Sequence, residues 1–232
     1  MAVDEAVRAR PQGSLFVRTV RGVGWTLIAT GVLILLYLVY LLFFTNLETN
    51  AVQEEFLSDW ELEFGAIDDS LPGEDITGPD TSEPIAVDVG DKYAVIWFER
   101  AGELIVMDQP WGVVEGTSVQ ALRAGPGHYA DTADPGEEGN LSIAGHRTTY
   151  GAPFWDLQDL QADDEVHVVD RDGVEWVYVV REQRIVGPGD VWVIGPDPLG
   201  EGGAWLTLTT CHPRLSAAQR LIVFAELQGG TA

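Results

Sequence analysis

The sequence LTLTTCHPR, residues 206–214, contains a β-branched run that ends in a cysteine followed closely by a proline. Side chains alternate between the two faces of a β-strand, so Thr207, Thr209 and Cys211 share one face of the predicted strand. Pro213 has no N–H to donate and cannot continue a central ladder. The pattern therefore predicts a strand with the thiol at its end.

The next predicted strand begins at Arg220, after the loop of residues 212–219. If these two strands pair antiparallel, Arg220 returns beside Cys211. A guanidinium in that position favours the thiolate and offers hydrogen-bond donors to a developing oxyanion. The spacing thus indicates a cysteine nucleophile with an arginine at its side.

A second short apolar run, NLSIAGHR at residues 140–147, ends in glycine and then histidine. A strand-end histidine such as His146 supplies the proton relay that a cysteine nucleophile needs, as acid for the leaving amine and base for the incoming one. The sequence does not establish that the two strand ends meet.

Each of these three residues also has an ordinary explanation when taken alone. A lone exported cysteine is commonly a buried small hydrophobe or a partner for another chain, and Cys211 has no second cysteine for an internal disulfide. A histidine after a glycine is commonly a surface residue. An isolated arginine is commonly a solvated charge.

The sequence of residues 91–232 predicts a mainly β domain. Short β-branched and aromatic runs alternate with turn residues, which favours a mostly antiparallel sandwich or barrel with few helices, near residues 119–123 and 153–160. The predicted strands are Tyr93–Phe98, Leu104–Asp108, Leu141–Ala144, Glu165–Asp170, Val174–Val186, Trp205–Thr210 and Leu221–Leu227. The segment 170–173 predicts a tight hairpin between two of them.

Residues 25–44 form an uncharged apolar stretch long enough to span a bilayer. It lacks a small-residue cleavage site, which favours an uncleaved anchor over a signal peptide. Arginines remain on the cytoplasmic side, and four precede the stretch: Arg8, Arg10, Arg18 and Arg21. We therefore expect a single-pass protein of the cell membrane with its amino terminus inside and its catalytic domain outside.

Four regions follow from this organisation. Residues 1–22 are the predicted cytoplasmic tail and residues 23–45 the transmembrane anchor. Residues 46–90 are a predicted acidic stalk or linker, with helical spacing in 46–64 and a composition rich in proline, glycine and acids after that. The catalytic domain is expected over residues 91–232.

The charge of the chain limits its partners. The formal net charge is −24, with 37 acidic and 13 basic residues. Phosphate binding requires basic patches, so nucleic acid is not an expected partner. No metal or other cofactor is expected, because the four histidines lack the usual ligand spacings and there is one cysteine. Calcium stays open, although no calcium loop is visible.

The combination of these motifs resembles the sortase family of cysteine transpeptidases. The string TLTTC (207–211) with Arg220 nine residues later matches the family's cysteine motif and arginine, and Gly145-His146-Arg147 lies 65 residues upstream of the cysteine, in the family's order. The resemblance extends over about Val113–Leu227. The strings GPGHY (125–129), AGHRTTYGAPF (144–154) and CHPR (211–214) are similar to class E sortases of high-GC Gram-positive bacteria.

The resemblance implies an eight-stranded β-barrel and catalytic roles for His146, Cys211 and Arg220. It also implies that the enzyme cleaves an LAxTG-like sorting signal of a secreted protein and transfers that protein to a cell-wall or lipid-linked amine. Tyr129 is a candidate contact for the signal's alanine, and Thr210 for its backbone. His128 and His212 are weaker candidates for the base. The isoleucine-proline turn usual in the family's first strands is missing at Ile96–Arg100.

Other functions compete with this one. A cysteine L,D-transpeptidase or papain-like wall hydrolase has a different cysteine context, with His and Gly just before the thiol or Trp just after it. A non-catalytic wall-binding or pilus-assembly module on a membrane anchor is the main alternative. A pilin-polymerising sortase fits less well, because we expect no lid and no carboxy-terminal anchor in the few residues after Leu227.

Overall fold

A computed structural model describes residues 15–40, 45–64 and 90–231. Within these ranges the chain forms three α-helices and nine β-strands. The helices are α1 (Leu15–Val39), α2 (Thr45–Phe64) and α3 (Ala121–Ala124). The strands are β1 (Lys92–Arg100), β2 (Glu103–Leu104), β3 (Trp111–Glu115), β4 (Gly127–His128), β5 (Gly139–Ala144), β6 (Glu165–Val169), β7 (Glu175–Val186), β8 (Ala204–His212) and β9 (Gln219–Thr231).

The chain divides into two compact units, Met1–Leu41 and Leu42–Ala232, and helix α1 belongs to the first. Its 23-residue segment Val17–Val39 contains an 18-residue window with a mean hydropathy of 2.1 and is long and apolar enough to cross a membrane. The predicted span 25–44 overlaps α1, which begins earlier. Residues 41–44, and the predicted linker from residue 65 to 89, lie outside the described residues.

The strands of the second unit close into a barrel. The order is β1-β3-β4-β5-β8-β9-β7-β6, and β1 pairs with β6 to complete the ring. Strand β2 is only a two-residue extension that pairs with the end of β1. The predicted eight-stranded, mainly β barrel is therefore confirmed.

Alternation along the strands sets which residues fill the barrel. In β1 from Ala94 to Phe98, in β6 and at Leu206 and Leu208 of β8, alternate side chains belong to one buried apolar cluster. These inward residues include Ile96, Phe98, Val166, Val168, Leu206 and Leu208. The intervening side chains, Cys211 in β8 among them, project from the outer face.

Two strand pairs are parallel, which the sequence did not predict. Strand β3 pairs in parallel with β4, and β5 pairs in parallel with β8 in a register that aligns Ala144 with Thr209. Parallel neighbours run in the same direction, so β5 and β8 end at the same edge of the barrel. This edge carries the predicted site.

Some predicted elements were wrong in extent. The expected strand Leu104–Asp108 is almost entirely loop, because Val106 has φ 67° and the Met107 N–H donates to the Ile105 carbonyl, which turns the chain. Strands β3 and β4 were missed; both are short and contain glycine. Of the expected helical segment 153–160, only a 3₁₀ turn at Leu157–Asp159 forms.

The predicted hairpin after β6 is confirmed. Strands β6 and β7 pair antiparallel. Between them the Asp170 carboxylate accepts hydrogen bonds from the backbone N–H groups of Asp172 and Val174, both at 2.9 Å, and Gly173 has φ 76°. The carboxylate thus closes the turn, and glycine provides the left-handed residue that the turn requires.

Helix α2, within the predicted stalk, packs on the barrel. Phe56 and Trp60, one turn apart, are buried against Val95 and Val114. The buried amide of Gln53 pairs with both backbone groups of Gly112, accepting from its N–H at 2.7 Å and donating to its carbonyl at 3.1 Å. A Cβ on residue 112 would lie 2.2 Å from the Phe56 ring, so only glycine permits this approach.

We expect Gln53→Ala to destabilise the second unit by about 2 to 4 kcal/mol, because it leaves the buried N–H and carbonyl of Gly112 without partners. Urea unfolding followed by tryptophan fluorescence measures this. Glu54→Gln, at the neighbouring exposed position of the same helix, is the matched control and should leave the free energy of unfolding unchanged. Equal stability of Gln53→Ala and the parent would contradict the docking.

Candidate active site

Cys211 lies near the end of β8, half-buried, on the outer face of the barrel. Its face is shared by Thr207 and Thr209, as the alternation predicted. Strand β9 pairs antiparallel with β8 in a register that aligns Cys211 with Arg220. The predicted return of Arg220 beside the thiol-bearing residue is therefore observed in the backbone.

His146 follows the end of β5, and the parallel pairing with β8 places it at the edge of the barrel where Cys211 lies. The register aligns Ala144 with Thr209, and the same register continued by two residues would align His146 with Cys211. The Gly145 N–H donates to the Thr209 carbonyl at 3.0 Å, which extends the ladder past the last paired residues. The two strand ends that the sequence left separate thus meet at one edge.

Two hydrogen bonds and the close approach of Phe154 to Gly145 fix the backbone at His146. The buried Thr210 hydroxyl donates to the Gly145 carbonyl at 2.7 Å. The Phe154 N–H donates to the His146 carbonyl at 3.1 Å, and a Cβ on residue 145 would lie 2.4 Å from the Phe154 ring. Thr210 lies on the inward face with Leu208, so its hydroxyl holds the histidine segment and does not face the outer surface.

The Arg220 side chain is half-buried and is held by its own loop. Its guanidinium donates to the carbonyl oxygens of Ala217 at 3.0 Å and Gln219 at 2.9 Å. The positive charge therefore lies where the β8–β9 loop enters β9. Arg220 is the residue of β9 that is paired with Cys211 of β8. Its remaining N–H groups are available to a bound oxyanion.

Tyr129 lies on the same outer face. Its hydroxyl is hydrogen-bonded to the Thr209 hydroxyl at 3.2 Å, and its N–H donates to the Ser142 carbonyl at 2.9 Å. Thr209 is two residues before Cys211 on one strand face. The structure therefore brings Tyr129 to the surface that carries the cysteine, histidine and arginine.

The electrostatic setting of His146 favours its neutral form. Burial is the largest cause that lowers the pKa of His146 below the usual 6.5, and the positive charge of Arg123 adds to it. Arg123 lies over the Tyr150 ring, 5.5 Å from its centre, and Tyr150 in turn contacts the His146 ring at 4.9 Å. At neutral pH the imidazole is therefore mostly uncharged.

We expect Arg123→Gln to raise the pKa of His146, because it removes the repelling charge, while burial keeps that pKa below 6.5. NMR titration of the histidine ring protons would follow the change. Arg171→Gln, in the hairpin after β6, is the matched control and should leave the His146 titration unmoved. An unchanged pKa in Arg123→Gln would contradict the electrostatic contribution of Arg123.

Arg147 is a positioning residue that the sequence did not single out beyond its place in the GHR string. It is 1% exposed, and its guanidinium donates to the carbonyls of Trp155 at 3.1 Å and Cys211 at 3.3 Å and to the Gln158 amide oxygen at 2.8 Å. A buried charge needs such partners. Arg147 thus ties the cysteine backbone to the segment after His146.

His128 and His212, the weaker candidates for the base, do not share the outer face that carries Cys211. His128 is buried, stacked on Tyr93 at 4.0 Å and hydrogen-bonded to the Glu115 carboxylate at 3.0 Å, so it belongs to an interior polar network. His212 follows Cys211 directly and lies on the opposite strand face. Neither position competes with His146 as the partner of Cys211.

In this closed barrel a histidine follows β5, a cysteine lies near the end of β8 and an arginine lies at the start of β9. This is the architecture of β-barrel cysteine transpeptidases. A family model of the sortase domain matches residues 106–228. That match covers more than half of the chain. The chain belongs to the sortase family, whose members are cysteine transpeptidases.

Individual relatives point to class E. Sortase SrtE1 of Streptomyces coelicolor is 31% identical over 232 residues, covering 95% of this chain; this chain spans 60% of that relative's length. The structure of sortase E from Streptomyces avermitilis is 39% identical with a TM-score of 0.54, covering 62% of this chain and 92% of that one. The crystal structure of Sortase E1 from Streptomyces coelicolor with a tripeptide in the active site is 29% identical with a TM-score of 0.54, covering 61% and 90%.

Proposed function

We propose that this chain is a membrane-anchored sortase that cleaves an LAxTG-like sorting signal between threonine and glycine and transfers the carrier protein to an amine of the cell wall. The parallel pairing of β5 with β8, which ends both strands at the edge that carries His146 and Cys211, is the observation that carries this proposal. Similarity to class E sortases supports the signal type. The related structure with a tripeptide in its active site supports a peptide substrate.

In the first step the Cys211 thiol gives its proton to neutral His146, and the resulting thiolate attacks the threonine carbonyl carbon. The carbonyl π electrons move to oxygen, and Arg220 with a backbone N–H donates to the resulting oxyanion. When the tetrahedral intermediate collapses, the C–N bond breaks and the glycine amine takes a proton from protonated His146. A thioester between the carrier protein and Cys211 remains.

In the second step an amine attacks the thioester carbonyl. A new C–N bond forms, the C–S bond breaks, and the amine proton passes to neutral His146. The thiolate is restored and the carrier protein is attached to the acceptor. The lowered pKa of His146 makes the imidazole a neutral acceptor at neutral pH for this second transfer.

The surrounding residues have supporting roles in this proposal. Tyr129, on the outer face with Cys211, contacts the alanine side of the signal. Thr210 positions His146 through its bond to the Gly145 carbonyl and does not bind substrate itself. The apolar helix α1 anchors the chain, with the amino terminus in the cytoplasm because four arginines precede the uncharged stretch 25–44.

Mass spectrometry of the full chain in detergent, incubated with LAxTG and LPxTG peptides and an amine, tests the proposal. We expect a product in which the amine replaces glycine, formed faster from the LAxTG peptide. A preference for LPxTG would overturn the signal assignment. Cleavage of neither peptide by a folded protein would favour the non-catalytic wall-binding or pilus-assembly module.

A further inference from the structure

A second cluster of functional side chains lies on the outer face of the barrel, at the seam where β1 closes against β6. The register aligns Trp97 with His167 and Glu99 with Glu165. These residues alternate with the inward residues Phe98 and Val166, so their side chains share the outer face. One oxygen each from Glu99 and Glu165 and one nitrogen from His167 lie within 4.8 Å of one another.

The histidine of this cluster is oriented with one nitrogen unused. His167 is 8% exposed, and its Nδ1 is hydrogen-bonded to the Glu175 carboxylate at 2.5 Å. A carboxylate accepts, so Nδ1 carries a proton in that contact, and in the neutral ring the lone pair is then on Nε2. Nε2 is buried and has no hydrogen-bond partner among the described residues. It lies 3.8 Å from a Glu99 oxygen and 3.7 Å from a Glu165 oxygen.

The two remaining contacts complete a supporting shell. The Trp97 indole donates to the other Glu99 oxygen at 2.8 Å, and its ring stacks on His167 with centres 4.9 Å apart. Carboxylates that orient a histidine through its second nitrogen are typical partners of metal-binding histidines. His167 and Glu99 are therefore held in place by contacts that do not use His167 Nε2 or the Glu99 oxygen that faces it.

We propose that Glu99, Glu165 and His167 bind a divalent transition-metal ion, with Zn²⁺ the best match. An ion with zinc–nitrogen and zinc–oxygen bonds of about 2.0 to 2.2 Å needs tetrahedral ligands about 3.4 Å apart. The two nitrogen–oxygen separations, 3.8 and 3.7 Å, approach this, and Glu165 is an exposed side chain. The two carboxylates balance the charge of the ion, and water completes the coordination.

The nitrogen ligand separates this proposal from a calcium site. Calcium takes six to eight oxygen ligands, whereas a set of one imidazole and two carboxylates suits zinc. The site joins β1 to β6, the pair that closes the barrel. Metal binding would therefore stabilise the pairing of β1 with β6. The site is distinct from the candidate active site, because β7 and β9 lie between β6 and the strand β8 that carries Cys211.

Isothermal titration of the full chain in detergent with zinc chloride tests the proposal. A Cys211→Ala background removes the thiol as a competing ligand. We expect one equivalent of zinc to bind and to raise the melting temperature, and calcium chloride to do neither. Binding of calcium with no binding of zinc would overturn the assignment, as would no binding of either ion.

Variants locate the ion. His167→Gln, Glu99→Gln and Glu165→Gln should each weaken zinc binding at least about 10-fold, and Glu175→Gln about 10- to 100-fold through the histidine's orientation. Glu165 is exposed, so its substitution tests the site even if the buried His167→Gln does not fold. Glu103→Gln, on the neighbouring strand β2, is the matched control. Zinc binding unchanged in Glu165→Gln and Glu99→Gln would overturn the site.

Discussion

Cys211→Ala is expected to lower the rate of transpeptidation by at least about 10³-fold, because alanine cannot form the thioester on which both steps depend. The side chain is half-buried at the end of β8 and its loss removes no hydrogen bond of the described core. The change should therefore act on chemistry and not on folding. Product formation from an LAxTG peptide and an amine, followed by mass spectrometry, gives the rate.

Intact-protein mass spectrometry distinguishes loss of the nucleophile from loss of structure. Wild-type chain incubated with peptide and no amine should gain the mass of the acyl fragment, and Cys211→Ala should not. A melting temperature equal to that of the wild type shows that the variant is folded. Substantial transpeptidation by the folded variant would refute a cysteine mechanism and with it the roles given to His146 and Arg220.

The relation of Cys211 to Arg220 was predictable because it depends on local sequence. Pro213 ends β8, and the short loop 212–219 brings the chain back as the neighbouring antiparallel strand. Loop length and strand direction then align the two residues. Few other arrangements are open to a strand, a short loop and a second strand.

The placement of His146 and Cys211 at one edge of the barrel could not be derived from spacing. Strands β5 and β8 are parallel and are separated by two intervening strands in the sequence, so the register between them follows from the barrel and not from a turn. Family resemblance supplied this link where periodicity did not. The same limit applies to Glu99 and His167, which come from strands far apart in the chain.

The packing of α2 on the barrel could not be predicted from the sequence for a different reason. Phe56 and Trp60 show helical spacing, but the specific anchor is Gln53, a polar residue whose partners are backbone atoms of Gly112. Because these partners are backbone atoms, the sequence of side chains does not indicate the contact. Strand β3 was missed for the related reason that its glycine, required by the Phe56 ring, weakens the strand signal.

Arg220→Gln is expected to lower kcat by about 10²- to 10³-fold with little change in KM, because the guanidinium stabilises charge that develops only in the transition state. In the free enzyme this group donates to the Ala217 and Gln219 carbonyls. Those contacts hold it beside the strand position of Cys211 before substrate arrives. Steady-state kinetics with an LAxTG peptide and saturating amine measure both constants.

Arg220→Lys separates charge from geometry in the same assay. Lysine keeps the positive charge but lacks the planar fork that donates to two carbonyls and an oxyanion together, so it should restore only part of the lost kcat. Arg181→Gln, an exposed arginine paired with Glu226, is the matched control and should leave kcat unchanged. A rise in KM at constant kcat in Arg220→Gln would instead make Arg220 a substrate-binding residue, since binding that is equal in the ground and transition states changes KM alone.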